Sequence, residues 1–403
     1  MQGESPLNLM RPQRQRGSGG PAAAAAPPRR RVWTIVAAVV LLIAICLGWS
    51  WLWYYAASVT DRTLAGWVQR EAAAGRIYTC GSQGISGFPF SIEVHCDGAA
   101  AELPHLQPPF AATARDVTFA AQVYHPTVLV GDIAAPVTLA EPGRPPSFIA
   151  NWSRAQISVR GVPPEPDSLG ISLDQPRVDQ VTGTNGTIVF KADHAEVQSG
   201  IVGGSAGNNP VIDTVVRFAG ASAPTVHPLL ADPLQGDGDI VVRGLSNLLP
   251  KPWPARFREM QAAGGNIELK HLRIDRPDST VIASGTLTIN EHGKLDGLIS
   301  VAVAGIDHIV PLIGVDQLIG QGIDRLAGST GQPGQGLNAL DRLLPGLSGA
   351  VRQGANATVI DNLKKMGQPT EIDKKPAIIL PLRVSDGSVY FGMIPLGELP
   401  ALF

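Results

Sequence analysis

From Val32 to Thr60 the chain carries no charged residue, and Val32–Gly48 (VWTIVAAVVLLIAICLG) is almost purely aliphatic. A bilayer core about 30 Å thick needs roughly 20 apolar residues at 1.5 Å rise each. The stretch 32–57 meets that requirement and is expected to be a transmembrane helix. Its flanks orient it. Arg11, Arg14, Arg16, Arg29, Arg30 and Arg31 precede the span against a single Glu4, whereas Asp61, Arg62, Arg70 and Glu71 beyond it are mixed. The positive-inside rule places the N-terminus in the cytoplasm and the rest of the chain across the membrane. Trp33 at one end, and Trp49, Trp51 and Trp53 with Tyr54 and Tyr55 at the other, suit the two interfaces.

Removal of this segment as a signal peptide is not expected. The candidate cleavage site, Tyr55-Ala56-Ala57, has a bulky ring where a small side chain belongs. A lipidated Cys46 is also a poor reading, because Ile45 precedes it and the cysteine lies in the middle of the span. Residues 1–31, rich in Gly, Pro, Ala and Arg, cannot bury a core and read as a disordered cytoplasmic tail.

Beyond the anchor the composition is that of a turn-rich β protein. Charged residues are 16% of the chain, while 45 glycines and 34 prolines punctuate it. The net charge of −2 and a pI near 6.4 lack the basic face of a nucleic-acid binder, so no nucleic-acid partner is expected. Asp61–Ala74 has Leu64, Trp67 and Val68 on one face, as a separate short amphipathic helix would. Cys80 and Cys96 lie on the apolar phase of two strand-like runs, IYTC and FSIEVHC. Their spacing is neither C-x-x-C nor a zinc pattern, and a structural disulfide in an oxidising compartment is expected.

Two hairpins can be registered from the sequence. In 281–303 a three-residue loop, Glu291-His292-Gly293, sets Ile289 opposite Leu295, Ala283 opposite Val301 and Val281 opposite Val303. In 377–396 a two-residue Asp386-Gly387 turn sets Val384 opposite Val389, Leu382 opposite Phe391 and Leu380 opposite Met393. Alternation also marks Ile157–Val159, Thr187–Val197, Ile240–Val242 and Ile267–Ile274. Helical spacing is confined to Pro254–Ala263, Ile306–Leu326 and Leu347–Met366. The expected fold is α+β and β-dominated. A single N-terminal transmembrane helix leads into a domain outside the cytoplasm, 58–403, built on a large, mainly antiparallel twisted sheet with a few helices at one side or end.

No catalytic signature emerges. G-x-S-x-G, H-E-x-x-H, the P-loop and the EF-hand loop are all absent. The histidines are dispersed: His292 belongs to a turn, His95 pairs with Glu93 on a polar phase, and Asp307-His308 suits a helix start. The glycine-rich runs at Gly203–Gly207 and Gly331–Gly336 read as turn or linker. No catalytic, cofactor-binding or metal-ligating residue is expected, and no enzyme.

An Arg-flanked anchor, C-x15-C bracketing Gly87–Phe90 (GFPF), a helix ending in Ala263–Gly265 and the hairpin ASGTLTINEHGKLDG resemble an uncharacterised Gram-negative inner-membrane family, DUF2125. The hairpin phrasing and the closing LRVSDGSVYFGMIPLG resemble, more loosely, periplasmic AsmA-like β proteins implicated in envelope lipid traffic. The resemblance covers about 60–403 and implies no catalytic residues. It implies an inner-membrane protein with a periplasmic body. The partners that follow are the bilayer itself, held as an integral single-pass protein, and either a lipid in a β-sheet groove or other envelope proteins to be assembled.

Overall fold

The fold is described from a computed structural model covering residues 29–106, 108–162, 165–182, 185–313, 360–361, 363–365, 367–392 and 394–403. It opens with one helix, α1 (Arg29–Ala73), so the expected span and the expected amphipathic helix are a single element. Nothing between Trp49 and Ala65 is a glycine or proline. The hydroxyls that might have capped a new helix instead donate back to the preceding turn: Ser58 to the Tyr55 carbonyl at 2.8 Å, Thr60 to Ala56 at 3.0 Å and Thr63 to Val59 at 2.8 Å. The helix stops at Gly75, whose φ of 79° suits a C-terminal cap. The described residues form two compact units with the boundary between Tyr54 and Tyr55, so residues 55–73 of α1 belong to the second.

That unit is a 21-stranded antiparallel sheet in which pairing largely follows chain order. β1 (Ile77–Thr79) and β2 (Ser82–Ser86) share one edge of β3 (Ser91–Leu103), which pairs along its length with β4 (Phe110–Gln122). β5 (His125–Ile133) and β6 (Val137–Ala140) are two halves of one bent strand, each taking one half of β4. The bend recurs in β7 (Phe148–Asn151) with β8 (Arg154–Arg160), in β9 (Ser168–Asp174) with β10 (Arg177–Thr182), and in β11 (Asn185–Lys191) with β12 (His194–Ser205). On one side of the bend β6, β7, β10 and β11 pair in that order. On the other side β5, β8, β9 and β12 do the same. The alternating run Thr187–Val197 is accordingly broken at Ala192-Asp193.

The meander continues through β13 (Asn208–Ala221), β14 (Leu234–Val242), β15 (Asn266–Asp275), β16 (Thr280–Ile289) and β17 (Leu295–Ala304). β19 (Lys375–Ser385) pairs with β17 on one edge. Its other edge carries β18 (Gln368–Ile372) and β20 (Ser388–Phe391), and β21 (Ile394–Glu398) folds back on β20.

Both hairpins take the registers expected of them up to one point. Ile289 faces Leu295, Ala283 faces Val301 and Val281 faces Val303, with Gly293 at φ 72°. Val384 faces Val389 and Leu382 faces Phe391 across Asp386 (φ 48°) and Gly387 (φ 75°). The pairing of Leu380 with Met393 is not made. β20 ends at Phe391, Gly392 turns the chain at φ 60°, and Ile394 comes back opposite Phe391. Met393 itself lies outside the described residues, and Leu380 pairs with Val301 on the other side.

Helices cover only part of this sheet. α3 (Ile306–Ile313) sets Ile306 and Val310 on Val303, Ile378, Leu380 and Phe391, joined by Ile360 and Leu363. Of the expected helices 306–326 and 347–366, only these parts are among the described residues. α2 (Trp253–Ala262) packs Met260 and Phe257 on Leu245, Ile289, Val242 and Ile267, and the chain end adds Leu402 and Phe403. The segment that wraps α2 is held by Glu259. Its carboxylate accepts from the Lys251 ammonium at 2.6 Å and from the Ser246 amide. Burial pushes this carboxyl up, but those two donors outweigh it and hold the group down at about 2, from an ordinary 4.5. The folded form therefore binds its proton more weakly than the unfolded chain. The stabilisation is complete above pH 4.5 and is lost as pH falls toward 2. Glu259→Gln is expected to cost about 1–3 kcal/mol at neutral pH. It is also expected to flatten the acid limb of stability, read by guanidinium denaturation from pH 7 to 3.

Candidate functional site

Residues opposite each other in an antiparallel ladder share a face, so the strand registers show which side chains line each side of the sheet. One row runs from Ile85 through Val94, Phe119, Gly131, Ile157, Ile171 and Val197 to Val216. It continues as Gly238, Leu272, Ala283, Val301 and Leu380. A second row beside it holds Ile92, Ala121, Leu129, Val159 and Leu169, then Ser199 and Thr214, then Ile240 and Leu269. A third begins with Cys96, Val117 and Ile133 and resumes with Ala155, Leu173, Ala195 and Phe218. Nothing in these rows is charged. The only polar side chains are Ser199 and Thr214, whose hydroxyls bond each other at 3.0 Å.

The opposite face is polar. Lys270 bridges Asp213 at 2.7 Å and Asp239 at 3.5 Å, Arg217 reaches Glu196 at 3.6 Å, and His271 reaches Asp237 at 3.4 Å. The Lys270 hydrogen bond holds the Asp213 carboxyl below its ordinary range. His95 projects on this side as well. It is held between the Ser86 hydroxyl at 2.8 Å and the Thr118 hydroxyl at 3.0 Å, with Glu93 at 3.7 Å. The expected pair is present, but two hydroxyls make the closer contacts.

Along the apolar face the cover is uneven. At β16, β17, β19 and β20 it lies under α3 with Ile360 and Leu363. At the other edge residues 55–73 of α1 flank it. Gln83, which pairs with Cys96 and so shares the face, donates to Asp61 at 2.9 Å, and Trp67 lies 4.9 Å from the Tyr78 ring. Between these borders, from β3 to β13, no described helix lies on the face except where Ile212, near the start of β13, joins the cluster under α2, and no other cluster of buried apolar residues forms there. Phe119 and Leu169 remain 40% exposed, and their neighbours are half-buried against one another. The spacing of strands, about 4.8 Å, makes this bare stretch roughly 29 Å across. Its floor is shaped by Phe119, whose ring lies over Gly131; a Cβ there would stand 2.6 Å from the ring.

The sequence-expected cysteine pair is joined. Cys80 sits at the break between β1 and β2 and bonds Cys96 on β3 with Cα atoms 5.5 Å apart, while Cys46 is free. The bond ties the β1–β2 edge to the apolar face. Of the anchor residues, Arg29, Arg30 and Arg31 form the first turn of α1. Trp33 and Trp51 are exposed, Trp49 is at the margin of exposure, and Trp53 is buried. Trp33–Ala73 is long and apolar enough to cross a membrane.

The titratable clusters pair with one another within the fold. A cleft of about 750 Å3 lies where the two hairpin turns meet and is lined by Asn290, His292, Asp296 and Asp386 among others. His292 and Lys294 both reach Asp386 at 3.1 Å. The Lys294 hydrogen bond, with help from Asn290 and His292, holds the Asp386 carboxyl down. Sequence periodicity assigned His292 to a turn and missed this meeting, because the two turns are remote in the chain. Asp307 opens α3 as expected and is bridged by Lys364 at 2.8 Å. Of Gly203–Gly207, residues 203–205 end β12 and Ala206-Gly207 turn into β13, while Gly331–Gly336 lies outside the described residues. Among the described residues no three His, Cys, Asp or Glu side chains are grouped to hold a metal.

The two regions of the face differ in how much burial they supply. Leu380→Ala, under α3, is expected to cost about 2–5 kcal/mol. Leu169→Ala, in the bare stretch, is expected to cost under about 1 kcal/mol, since a half-exposed side chain loses little transfer energy. Chemical denaturation of the two variants under one condition measures the difference.

No curated protein matches this chain. Residues 53–400 match the family described as "Uncharacterized protein conserved in bacteria (DUF2125)". That match carries no likeness to AsmA-like proteins. It begins within the aromatic end of the apolar helix and takes in the cysteine pair, the whole sheet and both hairpins. The chain belongs to the DUF2125 family.

Proposed function

We propose that this protein is a non-enzymatic, membrane-anchored binding protein of the bacterial envelope, whose bare apolar sheet face receives the acyl chains of a lipid. One observation carries the reading: the apolar rows run on from β3 to β13 with no described helix above them, while the same rows are sealed further along. Exposed apolar patches of this extent mark binding surfaces far more often than idle surface. The stretch is roughly 29 Å across, longer than the reach of one leaflet's chains, about half of the 30 Å bilayer core. The groove floor has no charge to desolvate, and a ligand without polar groups along its length loses nothing there.

The flanking helix supports a lipid over other apolar ligands. Residues 55–73 of α1 border the bare face, and the same helix carries the membrane-spanning stretch. In this reading the N-terminus is cytoplasmic, as the Arg29–Arg31 cluster favours, and the sheet is periplasmic in the inner-membrane setting. The Cys80–Cys96 disulfide fits an oxidising space.

The test is photo-crosslinking in membranes with the full chain. A benzophenone amino acid replaces Leu169 on the apolar face or Ser172 on the polar face. Lipid adducts are expected at 169 and not at 172. Equal labelling at both positions overturns the reading, and protein adducts alone at 169 replace it with an assembly role for the face.

A further inference from the structure

The Gly87–Phe90 loop, GFPF, is used neither by the disulfide nor by the apolar face, yet it holds two of the more exposed aromatic side chains in the sheet. Phe88 is 52% exposed and Phe90 63%. The neighbouring β4–β5 turn holds Tyr124 at 59%. The two tips form one structure: the Val123 amide donates to the Phe90 carbonyl at 2.9 Å, directly beyond the Ser91–Gln122 pair of β3 and β4. The loop is braced from within. Gly87 has φ 100°, a Cβ there would meet Ser91, and Ser91 donates from its amide and hydroxyl to the Gly87 carbonyl. The aromatic rings therefore stand on a built platform rather than on a loose strand connection. The segments Gly87–Ser91 and Gln122–Tyr124 contain no charged residue.

The direction in which this platform points follows from contacts inside the second unit. Glu71 pairs with Arg76, Trp67 stacks on Tyr78, and Asp61 accepts from Gln83. As the numbers rise along β1 and β2 they fall along α1, so the strand edge runs antiparallel to the helix. Gly87 lies four residues beyond Gln83, about 13 Å of extended chain. Tyr55 lies six residues before Asp61, about 9 Å of helix. The platform thus reaches the level of Tyr55, the first residue of α1 in this unit.

We propose that Phe88, Phe90 and Tyr124 form a second membrane contact, seated among the headgroups of the leaflet that the helix leaves. Rings with an apolar body, and in Tyr124 a polar tip, are the side chains that settle at this depth. Glu93 stands beside the platform, accepting from the Ser91 hydroxyl at 2.8 Å, so the rings and not the local charge carry the contact. Such a contact fixes the tilt of the sheet and presents its β2–β5 edge, where the bare face begins, to the lipid. The proposal rests on α1 being a membrane anchor; it does not require that the face carry a lipid.

The experiment uses the full chain with Cys46→Ala, so that an introduced thiol is the reactive one. Phe90→Cys, Tyr124→Cys or Val226→Cys is labelled with an environment-sensitive nitrobenzoxadiazole dye. Val226 is 63% exposed and lies between β13 and β14, at the opposite end of the strands. Each protein is reconstituted into phosphatidylethanolamine–phosphatidylglycerol vesicles with and without nitroxide-labelled acyl chains. The dyes at 90 and 124 are expected to emit at shorter wavelength and to be largely quenched, while the dye at 226 is not. Water-like, unquenched emission at both 90 and 124 overturns the contact, as does equal quenching at all three positions. Far-UV circular dichroism and the intact disulfide confirm folding of each labelled protein. Crosslinking at 169 reads the apolar face independently, so failure of either idea leaves the other distinguishable.

Discussion

The antiparallel backbone ladder between strands adjacent in the chain is what everything else depends on. Each strand from β13 to β16 bonds to the one before it and the one after it, and the two halves of the bent strands β5 to β12 pair in order on either side of the bend. Such short-range pairing keeps loop-closure entropy small. It also carries the period-two pattern of each strand across to the next without loss. An apolar residue at one position of one strand is mostly met by an apolar residue or a glycine opposite, with Ser199 and Thr214 as exceptions, and the rows are the sum of those local matches. An open sheet of this many strands does not stay flat. Its twist, with bends such as that at Gln175-Pro176, lets half-buried side chains shelter one another without a second layer.

Stability is therefore distributed unevenly. The buried apolar clusters lie in the C-terminal part of the sheet, two of them under α2 and under α3 with Ile360 and Leu363, and the third, at Ala304, Ile372 and Ala377, among strands alone. The β3–β13 stretch has ladder bonds and a polar face stitched by pairs such as Lys270 with Asp213, but little buried apolar volume. Surface ion pairs of that kind contribute little each. A chain that leaves so much apolar area uncovered stays soluble only if that area is sheltered, whether by curvature or by a ligand. Binding to the folded state alone would then add stability by mass action.

The edges are protected in different ways. The β1–β2 edge is tied by the Cys80–Cys96 bond and flanked by the second part of α1, through Asp61 and Trp67. At the other end β21 is a short strand, with Pro395 and Gly397 interrupting its capacity to pair further. Both devices discourage edge-to-edge association, which a long one-layer sheet would otherwise invite.

Much of this architecture was legible in the sequence because it is local. The hairpin registers at Ile289 with Leu295 and Val384 with Val389 followed from turn chemistry and alternation. The cysteine pairing followed from phase, and the membrane span from hydropathy. Local signals failed where a remote partner decided the outcome. Asp61 continues α1 rather than starting a helix, since Ser58 and Thr60 bond backward and Gln83 takes up the carboxylate. β20 stops at Phe391 because Gly392 turns the chain onto β21, while the adjoining edge of β19 is held by β18. The meeting of His292 with Asp386 needed both hairpins side by side. Above all, periodicity marked which face of each strand is apolar, but it could not mark which part of that face is covered. Coverage is set by helices that dock from elsewhere in the chain, and only the tertiary structure shows the described helices α2 and α3 gathered at one end of the face.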